Sequence, residues 1–503
     1  MIDGFAEGFE LLFTWPGPLL LFTAVAIGMV VGILPGIGGA AGMALVLPAT
    51  YTMSGSHAVM FLLAVQVASG IGAQLPTLLV NVPGDAPHAA ALFDGYPMTK
   101  QGRAAEALGA ATLSSLFGAI LGTVFLIALI PVARELVLAF SYPEFFMVSM
   151  MGLAMIAALT KGATRKGLIS AGIGFMIAFI GLDPATASPR FAFGQLYLWD
   201  GIQLVPMIIG LFAGSEMVTL YSHRGGKSIV PVEGENRSRL RDGYWASIRD
   251  WKNNVVSSVI GFAIGIIPGI GGTVAAFIAY GRAAQTSKNK EQFGNGAVEG
   301  LNAVESANDA DQGGSILTTL AFGIPGGVPM AVLLAALTLH GFETGPAMMS
   351  GGDSSILYVI VIAILVPRLI AGAVVIGLAK PSIALTRVPG QIVAPLIVVL
   401  ASVSVYSLRS QMLDVVAMVF FAFLGFVMER FGYSRVALVI AFILAPITEA
   451  AFHQTLTAFG WTGFLTRPIS LVMFLILLLT LFGKPIGRAV RRRNKSREEQ
   501  LVR

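Results

Sequence analysis

Apolar residues run along this chain in long blocks, separated by short polar segments or by segments rich in glycine and proline. The clearest blocks cover residues 11–34, 104–133, 355–379, 414–428, 436–451 and 469–482. At ~1.5 Å per helical residue, ~20 residues cross about 30 Å of hydrocarbon. With the weaker segments included, the pattern predicts about a dozen membrane-spanning helices. Two interruptions are nearly the same: GILPGIGG at residues 32–39 and GIIPGIGG at 265–272 differ at a single position. TLLVNVPGDAP (77–87) follows the first and TLAFGIPGGVP (319–329) the second, sharing Thr, Leu, Pro-Gly and Pro at matching offsets. The chain therefore reads as two related halves. The first is expected over 1–222, with repeat motifs at 32–51 and 69–97. A polar loop at 223–252 leads to the second half, 253–487, with motifs at 265–284 and 313–341, and a basic tail at 488–503 closes the chain.

Composition narrows the class. Of 503 residues, 55% are hydrophobic and 12% charged, whereas a soluble domain carries about 25% charged residues. The mean hydropathy is +0.80. A soluble globular fold is excluded, and an all-α polytopic membrane protein is expected. The chain has no cysteine, so disulfides, thiol catalysis and thiolate metal sites are absent. The first apolar block lacks a basic leader and a small-residue cleavage pattern, and is expected to be retained as a span.

The placement of charge says more than its net value of +5. Basic residues at span ends mark the cytoplasmic side. Arg224, Lys227, Arg237, Arg239, Arg241, Arg249 and Lys252 put the long loop there, and RRRNKSR from Arg491 puts the tail there too. The segment before the first octamer holds Asp3, Glu7 and Glu10 without a base, whereas the one before the second is this Arg-rich loop. Lys100 and Arg103 follow the first repeat, whereas Glu343 and Asp353 follow the second. Both comparisons predict that the halves are inverted in the membrane.

Proline lacks an amide donor and glycine adds backbone freedom, so PGIGG ends one helical segment and lets another begin at an angle. In hydrocarbon each freed N–H or C=O costs several kcal/mol unless it is satisfied, so such breaks survive only inside protein or beside water. Breaks at corresponding points of inverted halves point to a transport site near the midplane. Exposed helix N-termini suit an anion there. The competing reading is close packing through small residues. Pro35, Gly36, Gly38, Gly39, Asn81, Gly84, Pro268, Gly269, Gly271, Gly272, Thr318, Thr319 and Gly326 are the candidate substrate-site residues.

The octamers, together with GNGAVEGLNAVESANDADQGGSILTTLAFGIPGGVPMAVLLAAL at 294–337, resemble the large membrane subunit, TctA, of the tripartite tricarboxylate transporters. The likeness runs from the first span to about Ala451. It implies a multi-pass permease of the bacterial inner membrane, driven by an ion gradient. It also implies a small membrane subunit and a periplasmic substrate-binding protein as partners, and a di- or tricarboxylate such as citrate as substrate.

Consistent with that implication, the chain has no phosphate-binding G-x-x-x-x-G-K-[ST] motif. Asn302, Ser306, Asn308, Asp309 and Asp311 are the candidate coupling-ion ligands, with Glu305 and Gln312 beside them. Such oxygen-rich clusters suit Na⁺, and a carboxylate can instead carry H⁺. The same stretch also reads as a solvated loop between spans. Asp85 and His88 follow the first Pro-Gly break. Arg368, inside an apolar segment, either pairs with substrate or an internal acid, or snorkels to an interface. A channel and a non-catalytic scaffold remain the alternatives to a symporter. An enzyme is not expected, because the five histidines are scattered without HExxH, and no cofactor or metal is expected.

Overall fold

The computed structural model describes residues 8–34 apart from 11, 38–159 apart from 82, 164–183, 188–222, 238–268, 271–350, 354–385 and 409–478, with scattered positions between 395 and 406. The chain begins with α1 (Gly17–Ile33), α2 (Gly38–Val46), α3 (Gly55–Val80), α4 (Leu92–Lys100) and α5 (Ala104–Leu138). Next come α6 (Tyr142–Leu159), α7 (Thr164–Ala178) and a two-residue antiparallel pairing of Gly181–Leu182 with Pro189–Arg190. α8 (Leu204–Ile209) and α9 (Ser215–Ser222) are joined by a π-wound stretch, Gly210–Gly214. The later part holds α10 (Leu240–Arg249), α11 (Trp251–Gly265), α12 (Gly271–Thr286), α13 (Val298–Phe322), α14 (Val328–Leu339), α15 (Pro346–Ser350), α16 (Ser354–Leu385), α17 (Met412–Arg430) and α18 (Arg435–Phe459).

The element order repeats. A helix stops at each octamer, a second starts within it, and a long helix follows: α1, α2, α3 in the first half and α11, α12, α13 in the second. Five helices among the described residues are long and apolar enough to cross a membrane, lying within α3, α5, α16, α17 and α18. α1 and α14 are apolar but shorter. The breaks that shorten them are the proline and glycine interruptions read from the sequence.

The chain forms two compact units. One comprises residues 1–137 with 202–435 and contains both octamers; the other comprises 138–201 with 436–503. In the first unit α1 packs along α3, and α11 packs along α13. α17 shows how this unit meets its surroundings. Val415, Met418, Phe421, Ala422 and Gly425 are buried along one face, while Val416, Val419, Phe420 and Phe423 are exposed along the other. An apolar outer stripe at helical spacing is what lipid contact demands and water penalises. The second unit is held by a cluster of Phe146, Phe452, Phe464 and Trp461. Arg467 donates to Glu144 at 2.7 Å, and Arg190 to Glu449 at 2.6 Å. The fold is an all-α membrane protein.

Candidate functional site

The two octamers start their second helices on matching glycines. Gly38 has φ +66° and Gly271 has φ +67°, and each opens a helix, α2 and α12. This left-handed backbone costs other L-residues energy and glycine almost none. Pro35, Gly36 and Gly269 lie outside the described residues, and Pro268 is in the turn before the second break. Just before each break the chain lies tight on a long helix. A side chain at Gly32 would collide with the carbonyl of Ser69 on α3, and one at Gly265 with the carbonyl of Asp311 on α13.

The ends of the long helices match as well. α3 stops at Asn81 (φ 59°) and α13 at Gly323 (φ 68°), both left-handed. Beyond them the Gly84 amide donates to Thr77 Oγ1 at 3.1 Å and the Gly326 amide to Thr319 Oγ1 at 3.3 Å. Each threonine hydroxyl in turn donates one helical turn back, to Ala73 and to Ser315, both at 2.6 Å. Asn81, Gly84, Thr319 and Gly326 thus build the turns after the long helices. Thr318 donates to the carbonyl of Ile266 at 2.8 Å, fastening the second break to α13.

The halves exchange contacts reciprocally. α2, which opens from the first octamer, packs against α14 after the second Pro-Gly break. α12, which opens from the second, packs against the short turn Pro87–Ala89 after the first. What each octamer faces is also matched. A Cβ on Gly39 would overlap Gln66 Oε1 of α3. One on Gly272 would lie 2.6 Å from Asn308 Oδ1 and 3.3 Å from Asp311 Oδ2 of α13, and 3.6 Å from Pro87 Cγ. Amide side chains thus approach both breaks, and each break also has an acid nearby, Asp85 at Gly38 and Asp311 at Gly272.

The stretch around 302–312 is not a loop. It is the interior of α13, buried along nearly its whole length. Its small residues make this tolerable, because Ala307 lies against Gly261 and Gly314 against Gly265 of α11, so backbones meet closely and polar groups find partners. Asn302 accepts from Ser114 at 2.8 Å and donates to Asp250 at 3.0 Å. Ser306 donates to Asn254 at 3.0 Å. Asp309 pairs with Arg368 and accepts from Ser115, and Arg368 donates to Ser115 at 2.7 Å. Arg368 is therefore an interior partner of an acid and does not snorkel. Of the candidate ion ligands, Asn308 and Asp311 face the octamer.

Gln66, Ser69 and Gln74, which lay outside the candidate set, project from α3, and Glu305, named with the polar stretch, projects from α13. Gln74 donates to Glu305 Oε2 at 2.8 Å, and His88 bridges Asp85 to Glu305. Gln66 Oε1, Ser69 Oγ, Gln74 Oε1, Glu305 Oε1 and Asp311 Oδ1 are buried without a protein hydrogen-bond partner. A buried polar atom left so costs about 1–3 kcal/mol, and five near one pair of breaks point to a ligand-binding interior. Polar residues set in an otherwise apolar helix were the available signal.

The fold is that of a helical membrane protein with a matched pair of broken helices. The family model described as "Tripartite tricarboxylate transporter TctA family" matches residues 19–440, and the chain belongs to that family. A protein of Agrobacterium vitis described as "Uncharacterized 52.8 kDa protein in TAR-I ttuC' 3'region" is 29% identical over 476 residues, 93% of each chain. A second, "Uncharacterized protein in TAR-II ttuC' 3'region" from the same organism, is 30% identical over 212 residues, 42% of this chain and 87% of that one. No solved structure matches. Membership makes the chain a component of a tripartite transporter, which implies partner subunits.

Proposed function

We propose that the chain is the permease of an ion-gradient-driven system that imports a di- or tricarboxylate, citrate-like in chemistry, across a bacterial inner membrane. The observation that carries this reading is the matched pair of breaks. Gly38 and Gly271 share one left-handed turn, each opens a helix, and each neighbouring glycine faces an amide side chain, Gln66 or Asn308. The first amides of α2 and α12 have no partner within their own helices and carry the positive end of the helix dipole. Two such ends offer a polyanion several donors without adding a fixed cation. The halves are read as inverted, so that rocking one against the other exposes the same site to either side. Asn308 and Asp311 stand beside Gly272 as polar groups lining the site, and the coupling ion is Na⁺ or H⁺.

A small membrane subunit and a periplasmic binding protein complete the system, the latter concentrating dilute anion at the permease. No cofactor and no catalytic step enter the cycle. The test is reconstitution of the purified chain in sealed vesicles, with labelled citrate among a panel of di- and tricarboxylates. Uptake is expected only when both partners and an ion gradient are supplied. Full uptake by the chain alone, or transport of no carboxylate in the panel, would overturn the reading.

A further inference from the structure

His88 sits between two acids from different halves of the chain. Its Nδ1 contacts Asp85 Oδ1 and its Nε2 lies 3.5 Å from Glu305 Oε2. Asp85 and His88 follow the first Pro-Gly break, and Glu305 is on α13 of the second half. The side chains of His88 and Glu305 are 2% and 1% exposed, whereas that of Asp85 is 18% exposed. The line therefore runs from a group that reaches the surface to one that is sealed. Asp85 is also the side chain nearest Gly38, with its Cβ 3.6 Å from a Cβ built there. The cluster thus begins at the first octamer.

Its charge does not balance. With His88 protonated and both acids ionised, one negative charge is left over in the interior. No Lys or Arg among the described residues forms an ion pair with any of the three. The charged and titratable groups on the surrounding elements are engaged elsewhere. Asp94 of α4 accepts the amides of Gly294, Gly296 and Ala297. Lys100 lies over the Tyr96 ring. On α12, Tyr280 packs on Phe93 and Phe293, and Arg282 donates to Asn253. On α13, Glu299 accepts from Ser287, Asp309 pairs with Arg368 and Asp311 faces Gly272. On α3, His57 contacts Ser54. A buried surplus charge costs several kcal/mol, and a proton on Glu305 removes it. Glu305 Oε1 has no hydrogen-bond partner, which leaves an oxygen to hold that proton.

We propose that the coupled ion is a proton and that Glu305 carries it, loaded through Asp85 and His88. This rests on the transport reading above and names its ion. Protonated His88 gives its Nε2 proton to Glu305, whose carboxylate becomes a neutral carboxyl, and a proton arriving at Asp85 restores the imidazolium as the ring turns its bare nitrogen to Asp85. Once cut off from His88, Glu305 releases its one proton to the other side and returns to the carboxylate. Because the contact between His88 and Glu305 joins the two halves, a rearrangement that separates them isolates the loaded acid from its entry route. Anion at Gly38 lies beside Asp85, so its charge favours protonation of the cluster and thereby links the two cargoes.

Two measurements test this. In vesicles holding the full system at clamped potential, wild-type accumulation should change about tenfold per co-transported proton for each unit of pH gradient. E305Q should lose that accumulation while keeping exchange of labelled for unlabelled carboxylate, because Gln preserves the shape of the site. D85N, at the more exposed end, should show the same split and serves if E305Q does not fold. Infrared titration of the purified permease should show a carboxyl C=O band that grows as pH falls and is missing in E305Q. Accumulation that follows Na⁺ alone and is lost in D311N, or E305Q and D85N that accumulate like wild type, would overturn the proton assignment. Failure of every carboxylate to move in wild type would instead overturn the transport reading, and the infrared band would still show whether Glu305 takes a proton.

Discussion

Replacing Gly38 or Gly271 by alanine isolates the turn from everything around it. The space beside Gly271 is open, since a Cβ there meets no heavy atom within 4 Å, and one at Gly38 meets only Asp85 Cβ at 3.6 Å. Steric overlap therefore contributes nothing, and the whole cost lies in holding an alanine at φ +67° or +66°. That conformation costs an L-residue about 1–2 kcal/mol, which corresponds to a roughly 5–30-fold loss in the population of the broken-helix state. Valine should cost more, because its β-branch resists the turn further. The assay is denaturant unfolding of the detergent-solubilised permease alongside uptake per folded molecule. Gly70→Ala is the control, as it sits in α3 with open space beside it and no left-handed backbone. G38A and G271A should lose similar amounts of stability and of specific uptake, while G70A should lose neither. If both unfold and transport like G70A, the turns do not hold the breaks open and the reasoning fails.

Breaking the buried pair with Asp309→Leu or Arg368→Leu should destabilise by about 3–5 kcal/mol, with the double substitution costing less than either single one; unfolding midpoints in a double-mutant cycle decide this. Gly326→Ala places a Cβ 2.6 Å from Ser315 Cα, an overlap expected to cost about 1–3 kcal/mol, and Gly84→Ala, at 2.5 Å from Ala73 Cα, should behave alike in the same assay. Asp94→Ala removes the acceptor of three amides at the start of α13, so proteolysis or hydrogen exchange at 294–297 should rise while the rest of α13 stays protected. Single cysteines at the exposed Ser54 and Asn289 should label from opposite sides of the membrane, and labelling of both from one side would remove the inversion.

Much of this arrangement was legible from residue chemistry. Proline and glycine have local consequences, so the breaks at the octamers and the turns at Pro83-Gly84 and Pro325-Gly326 could be placed before any contact was known. α17 was readable as a membrane span from its apolar run at 414–428, since length and composition are local properties. The polar stretch of α13 was not settled, because its density of Asn, Asp and Ser matches a loop as well as a helix. Its helical state depends on the alanines and glycines that let α11 approach, which is a tertiary effect. The pairings were hidden for a different reason. Asp309 meets Arg368, and His88 meets Glu305, across long separations in the chain, and one sequence carries no signal of which distant charges share an interior. Thr77 and Thr319 hold corresponding amides, which their matching positions in the two halves had suggested without revealing the bond.

The most direct measurement of the central claim is an experimental structure of the permease bound to the carboxylate that uptake assays identify. The account predicts the anion between the two breaks, its carboxylates within hydrogen-bond reach of the amides that open α2 and α12 at Gly38–Gly39 and Gly271–Gly272, and flanked by Gln66 and Asn308. Anion bound elsewhere in the chain, with both breaks packed shut against their long helices, would contradict it.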